Sequence, residues 1–214
     1  MSPLPVLIAG GGIGGLAIAI GLAGKGIGSL VLERAPQLGE IGAGIQLGPN
    51  AFHAFDYLGV GDTARDMAVY VDQLRLMDAI SGDEITHIPL DDAFRARFGN
   101  PYAVIHRGDL HSVFLRACSD HPLVGLRTSA EVTDYRQDGE TVTAILKDGE
   151  EVRGRALIGA DGLYSKTRAA LFPDAPQPRY SGQAVWRAVL PRPAEIDALP
   201  VLARGAAMRF MLTR

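Results

Sequence analysis

The N-terminal residues combine apolar runs with glycine in a way that predicts a strand, a turn and a helix. Residues 6–9 are all apolar, glycines follow at once, and a second apolar stretch covers residues 16–22. Another short apolar strand is predicted over residues 29–32. Short apolar runs without alternation are typical of the buried parallel strands of a doubly wound sheet. This pattern therefore predicts an α/β fold.

The periodicity is lost over residues 34–48, a glycine-rich stretch that we predict to be a long loop. Its glycines would let the backbone lie against a flat ligand, and Gln46 would direct an amide at it; a simple surface excursion is the alternative. Residues 49–58 then predict a helix that begins at a proline and is closed by Gly59 and Gly61.

Alternating residues from position 71 predict two paired strands around a turn at residues 81–83. A short helix over 91–98 and a strand over 102–106 follow. The next helix is predicted over 110–118, with Asp109 as its N-terminal cap.

The stretch 123–153 predicts a run of short strands joined by two Asp-Gly turns, which are strong hairpin signals. Residues 155–160 then predict a buried strand that ends at Asp161 and Gly162. A helix is predicted over 164–172.

Composition narrows the choice of function. The net charge is −3 and the 21 Lys and Arg residues are dispersed, so we predict no nucleic-acid partner. The single cysteine, Cys118, excludes an internal disulfide and a cysteine-based metal site, and we interpret it as a helix filler. The uncharged N-terminus lacks the basic region of a signal peptide and is broken by prolines and glycines. We therefore predict a cytoplasmic protein without a membrane span.

The glycine turn carries the clearest chemical signal. Gly10, Gly12 and Gly15 have the spacing G-x-G-x-x-G between a predicted strand and a predicted helix. The first glycine permits the turn, the second lets the backbone approach a pyrophosphate, and the third lets helix and strand pack closely. Glu33 ends the next strand, where its carboxylate would accept from the hydroxyls of an adenosine ribose. A carboxylate there favours FAD or NAD over NADP.

Two further residues lie at junctions that favour ligand binding. Arg107 stands where a predicted strand meets a helix, a favourable place for a guanidinium to meet a phosphate, although a solvated charge is the commoner role. Asp161 follows a strand and should lie near the glycine turn, because ligands bind at the carboxyl ends of such strands. A plain turn residue is the alternative for Asp161.

Four segments in this order resemble the flavoprotein aromatic hydroxylases, single-component FAD monooxygenases of the salicylate and hydroxybenzoate hydroxylase type. They read GGGIGGLAIAIGLAGKGI…LVLERA, GEIGAGIQLGPNA, HRGDLH and GADGLYSKTRAAL. The resemblance covers residues 4 to about 190. Within the family, FRARFGNPYAVIHRGDLH most resembles the 3-hydroxybenzoate 6-hydroxylases, with salicylate 1-hydroxylases close behind.

The resemblance implies a Rossmann-like FAD-binding domain of the GR2 type with an inserted mixed or antiparallel substrate sheet, in a truncated chain. The FAD-binding domain would comprise residues 1–70 and 101–175, and the partial substrate sheet residues 71–100 and 176–214. The implied cofactor-binding residues are Gly10, Gly12, Ile13, Gly14, Gly15, Glu33, Arg34, Gly44, Arg107, Val132 and Asp161.

In such enzymes NADH reduces the bound FAD, and the reduced flavin and O2 hydroxylate a small phenolic acid. The partners implied are therefore that aromatic acid and O2, and a homodimer of the full-length enzyme is left open. The catalytic base stays unassigned: none of the five histidines has a signature, and Arg209 and Thr213 align with the family's catalytic His and Tyr. Trp186 and Arg187 resemble the first strand of the substrate domain.

The chain lacks the family's second flavin motif, a Gly-Asp segment, so we interpret it as the N-terminal part of a longer hydroxylase and expect it to bind FAD weakly and not turn over. Alternatives are a salicylate 1-hydroxylase, a flavin-binding fragment without activity, an amine oxidase-like or geranyl reductase-like flavoprotein, and an NAD-binding Rossmann domain with an accessory sheet.

Overall fold

The computed structural model describes residues 3–39, 42 and 44–184, together with the backbone of 207–212. In chain order the elements are β1 (Val6–Ala9), α1 (Ile13–Ala23), β2 (Ser29–Leu32), β3 (Gly44–Leu47), α2 (Pro49–Tyr57), α3 (Gly61–Met67), β4 (Val69–Tyr70), β5 (Gln73–Asp78), β6 (Glu84–Pro89), α4 (Asp92–Phe98), β7 (Ala103–His106), α5 (Arg107–Ser119), β8 (Val124–Arg127), β9 (Val132–Asp138), β10 (Thr141–Leu146), β11 (Glu151–Gly154), β12 (Ala156–Gly159), α6 (Lys166–Leu171) and β13 (Ala207–Leu212).

The chain divides into two compact units, each made of two segments. Unit 1 comprises Met1–Ile41 and Leu110–Val185, and unit 2 comprises Gly42–Asp109 and Trp186–Arg214. The domain bounds given above from the sequence stay a prediction.

Unit 1 is built on a parallel sheet with the strand order β12-β1-β2-β8. Ala9, at the end of β1, is opposite Gly159 of β12 and Leu32 of β2. The three strands therefore end at the same edge of the sheet. The predicted α/β class is confirmed, and the apolar runs of β1 and β2 are explained because these strands are almost completely buried.

A second, antiparallel sheet of unit 1 has the order β11-β10-β9 and packs on the parallel one. The shared apolar core contains Leu7 of β1, Leu32 of β2, and Val142, Ala144 and Leu146 of β10. Alternate residues of β10 point into this core, which is why its sequence alternates. The two Asp-Gly turns predicted here are present, with positive φ at both glycines.

Unit 2 contains two small sheets among its described residues. The hairpin of β5 and β6 pairs with β13 on the other side of β5, and β7 lies between β3 and β4. The predicted hairpin around residues 81–83 and the short helix α4, capped by the Asp91 carboxylate, are confirmed.

Three local predictions are wrong. The loop over 34–48 contains strand β3, which pairs antiparallel with β7. Gly61 does not close the preceding helix; it begins α3. Helix α5 begins at Arg107, so Asp109 lies in its first turn and is not the N-cap.

The strand predicted as buried over 155–160 is also different. It is β12, whose residues are half-buried or exposed, because β12 is the outer strand of the parallel sheet in the described part of the chain.

Candidate cofactor-binding site

The glycine turn joins β1 to α1 against the end of β12. Gly10 has a φ of 112°, a backbone conformation that residues with a side chain rarely adopt. A Cβ at this position would also collide with the carbonyl oxygen of Ala160. A Cβ on Gly15 would collide with the carbonyl oxygen of Gly10. Both glycines therefore allow the turn, the helix and the neighbouring strand to come together.

The N-terminus of α1 presents amide donors that the helix itself does not pair. Its N-cap is Gly12, which provides no side-chain cap, and its first turn contains no acidic residue. The first amides of a helix have no partner within the helix and carry the positive end of its dipole. A Cβ on Gly14 would have no atom within 4 Å, so this side of the first turn is open. The arrangement suits an anion such as a pyrophosphate.

Glu33 follows β2 and turns its carboxylate towards the glycine turn. Oε2 accepts a hydrogen bond from the backbone amide of Gly11 at 2.6 Å, and Oε1 accepts from the amide of Ala35 at 2.8 Å. A carboxylate has about four acceptor positions. Both oxygens therefore retain capacity to accept from a vicinal diol while the backbone holds the group in place.

Asp161 lies next to the glycine turn, as the sequence predicts. The amide of Ala160 donates to the carbonyl oxygen of Ala9 at 2.8 Å, which carries the end of β12 alongside β1. The Asp161 carboxylate accepts from Ser165 Oγ at 2.5 Å and from the amide and Oγ1 of Thr167 at 3.0 and 3.2 Å. Burial alone would raise the pKa of Asp161, but these hydrogen bonds outweigh it and hold the pKa below its ordinary value.

Two residues of this site were missed at the sequence level. Gly11 lies between Glu33 and Leu38, and a Cβ on it would meet the side chains of both. His111 of α5 is buried, and its Nε2 lies 2.8 Å from the carbonyl oxygen of Gly11. The run of three glycines could have identified Gly11. No local pattern could have identified His111, because it contacts Gly11 across 100 positions of the sequence.

The other predicted residues of unit 1 lie around this edge of the sheet. Arg34 is exposed directly after Glu33, and Ile13 begins α1. Val132 begins β9 and is half-buried.

Gly44 and Arg107 belong to unit 2, where the structure brings them together. Gly44 of β3 is opposite His106 of β7, the residue before Arg107. A Cβ on Gly42 would lie 3.2 Å from Cδ of Arg107, so the backbone of the glycine-rich segment lies close to the Arg107 side chain. The side-chain amide of Gln46, predicted to face a flat ligand, is engaged within the protein, because its Oε1 accepts a hydrogen bond from the hydroxyl of Tyr102.

Several predicted residues fall outside what the structure describes. Trp186, Arg187 and Thr213 lie outside the described residues, and Arg209 is described only through the backbone of β13. Within the described ranges, no cluster of His, Cys, Asp and Glu side chains could hold a metal ion. None of the helices in the described part of the chain is long and apolar enough to span a membrane.

Comparison with known proteins gives a consistent result. The profile of the family described as FAD binding domain matches residues 3–200. The chain is 54% identical over 186 residues to 3-hydroxybenzoate 6-hydroxylase 1 of Aquipseudomonas alcaligenes, a match that covers 87% of this chain and 47% of that protein. It is 48% identical over 204 residues to 3-hydroxybenzoate 6-hydroxylase of Klebsiella oxytoca, covering 93% of this chain and 51% of that one.

Among solved structures, the chain is similar to Klebsiella pneumoniae HpxO complexed with FAD and uric acid. The TM-score is 0.73 at 30% identity, over 84% of this chain and 44% of that one. The chain thus spans about half the length of the curated relatives it matches.

Proposed function

The chain belongs to the FAD binding domain family, and from this membership we propose that it forms the FAD-binding half of a flavin-dependent hydroxylase of small phenolic acids. One observation carries the proposal. The amide-rich turn after β1, Glu33 after β2 and Asp161 after β12 follow three adjacent parallel strands. Ligands of open α/β sheets bind at this edge, at the carboxyl ends of the strands.

Each group has a separate task in holding FAD. The first-turn amides of α1 receive the pyrophosphate, and Glu33 accepts from the adenosine ribose hydroxyls while Gly11 and Ala35 fix its position. Asp161 is ionised at neutral pH, as its hydrogen bonds hold its pKa below an already acidic ordinary value, and it presents acceptors beside the turn. FAD, when bound, supplies the redox chemistry with O2.

Three further roles are assigned by the resemblance to the aromatic hydroxylases. Arg107 begins α5 beside Gly42 and Gly44, and we assign it to the pyrophosphate or the ribityl chain of FAD. Val132 would meet the adenine through its backbone, and Arg34 the adenosine end. These roles follow the resemblance to the aromatic hydroxylases.

The substrate is proposed to be 3-hydroxybenzoate or a similar phenolic acid, with NADH as the reductant. Support comes from the two relatives named 3-hydroxybenzoate 6-hydroxylase, at 54% and 48% identity over most of this chain. Hydroxylation of salicylate is the second candidate, because the segment around Arg107 resembles the salicylate 1-hydroxylases almost as closely as the 3-hydroxybenzoate 6-hydroxylases.

The test is NADH oxidation by a chain extended to the full length of its relatives. We expect 3-hydroxybenzoate to stimulate NADH oxidation and to yield a dihydroxybenzoate, with salicylate less effective and NADPH a poorer donor. A yellow protein that oxidises NADH equally with and without every hydroxybenzoate would contradict the substrate assignment. A colourless protein that binds no flavin would contradict the cofactor assignment.

A further inference from the structure

His111 is a buried polar residue that the proposed function leaves without a role. Its side chain is 2% exposed, and Nε2 lies 2.8 Å from the carbonyl oxygen of Gly11. A carbonyl oxygen only accepts, so Nε2 carries a hydrogen and donates it. We propose that His111 is a positioning residue, which orients the glycine turn towards the pyrophosphate of a bound dinucleotide. The inference rests on the proposed function and extends it.

The glycine turn has little conformational restraint of its own. Residues 10–12 are three successive glycines, and glycine has little conformational preference of its own. The two peptide groups that flank Gly11 could therefore adopt several orientations unless other groups hold them.

Side chains hold both peptide groups. The amide of Gly11 donates to Glu33 Oε2 at 2.6 Å, which fixes the peptide between residues 10 and 11. The carbonyl of Gly11 accepts from His111, which fixes the peptide between residues 11 and 12. A trans peptide is planar and its N–H points opposite to its C=O. His111 therefore sets the direction of the Gly12 amide, which points away from His111.

This orientation matters for one part of the ligand. Gly12 is the N-cap of α1, where a dinucleotide of the proposed class places its pyrophosphate. Glu33, in contrast, is assigned to accept hydrogen bonds from the ribose hydroxyls. Loss of the His111 hydrogen bond should thus weaken recognition of the pyrophosphate and leave recognition of adenosine nearly unchanged. A histidine that only fills the core would affect both ligands equally.

The experiment compares His111→Gln with His111→Leu in the 214-residue chain. The glutamine amide can donate from nearly the same place, whereas leucine fills a similar volume without a donor. Binding of ADP and of adenosine is measured for both variants and the unsubstituted chain. We expect His111→Leu to weaken ADP about tenfold, the size of one hydrogen bond, with adenosine within about twofold and His111→Gln close to the unsubstituted chain. Equal losses for both ligands, or no recovery in His111→Gln, would overturn the proposal.

A measurement without ligand separates this proposal from the proposed function. Nitrogen NMR of the His111 ring should show a protonated Nε2. The amide of Gly12 shares its peptide group with the Gly11 carbonyl, so its chemical shifts should change in His111→Leu and stay close to those of the unsubstituted chain in His111→Gln. If the unsubstituted chain binds neither FAD nor ADP, the proposed function fails, and the Gly12 shifts still decide the role of His111. Unchanged Gly12 shifts in His111→Leu would refute it.

Discussion

Glu33 is held by the protein before it meets any ligand, since both of its carboxylate oxygens accept from backbone amides. We expect Glu33→Lys to weaken FAD binding by at least about tenfold, because it removes a charged acceptor of two ribose hydroxyls and places a cation there. Fluorescence titration with FAD measures this.

The matched control is Glu140→Lys, which makes the same change of charge in the exposed turn between β9 and β10. It should leave FAD affinity within about twofold, since an exposed charge in a loop contributes little. Equal losses in both variants would assign the effect to net charge and remove Glu33 from the site.

Cys118 gives a prediction for alkaline pH. It is fully buried in α5, and burial raises the pKa of its thiol from 9.0 to about 11. The folded state thus keeps the proton where the unfolded state has lost it, so folding stability falls as the pH rises from about 9 to about 11. Cys118→Ala should flatten this part of the stability curve in urea unfolding. A curve with an unchanged slope would contradict the assignment.

The sequence alone predicts those residues whose roles depend on neighbours along the chain. The glycine spacing and the acid after the second strand identify Gly10, Gly15 and Glu33, because a strand, turn and helix are contiguous. His111 and Thr167 could not be identified in the same way. Their partners, Gly11 and Asp161, are chosen by tertiary packing and by the course of a loop.

Two adjacent glycines in the first turn of α1, Gly14 and Gly15, have different surroundings. Alanine substitution should therefore change the stability of the protein in opposite directions at the two positions. A Cβ on Gly14 meets nothing within 4 Å, whereas one on Gly15 would collide with the carbonyl oxygen of Gly10. Gly14→Ala should stabilise by about 0.5–1 kcal/mol through helix propensity. Gly15→Ala should destabilise by about 1–3 kcal/mol through overpacking. Urea unfolding of both variants measures the difference, and equal effects would show that helix and strand do not pack this closely.

Apolar runs predicted the buried strands β1 and β2, whereas strand β3 was not predicted. Strand β3 is mainly exposed and begins in a glycine-rich segment. It is a strand only because its backbone pairs with β7, which no local pattern reports. Helix α3 begins at Gly61, and because glycine ordinarily ends a helix, the sequence predicts a helix end where α3 starts.

For the whole molecule, we propose that unit 1 forms the adenosine side of a dinucleotide site. The chain spans about half the length of its curated relatives. The centre of the parallel sheet could be predicted because the glycine turn and Glu33 follow the consecutive strands β1 and β2, whereas β8 and β12 join the sheet from distant parts of the chain. A division into two discontinuous parts followed from the family resemblance and not from any local pattern, since each unit is assembled from two distant segments of chain.

The most direct test of the central claim is competition at the FAD site of the 214-residue chain. ADP contains the pyrophosphate and the ribose assigned to α1 and Glu33, whereas FMN lacks the adenosine half altogether. We expect FAD to bind, ADP to displace it in proportion to its concentration, and FMN to bind at least about tenfold more weakly than FAD, since it makes none of the ribose contacts. FMN that binds as tightly as FAD, with no displacement by ADP, would contradict the account.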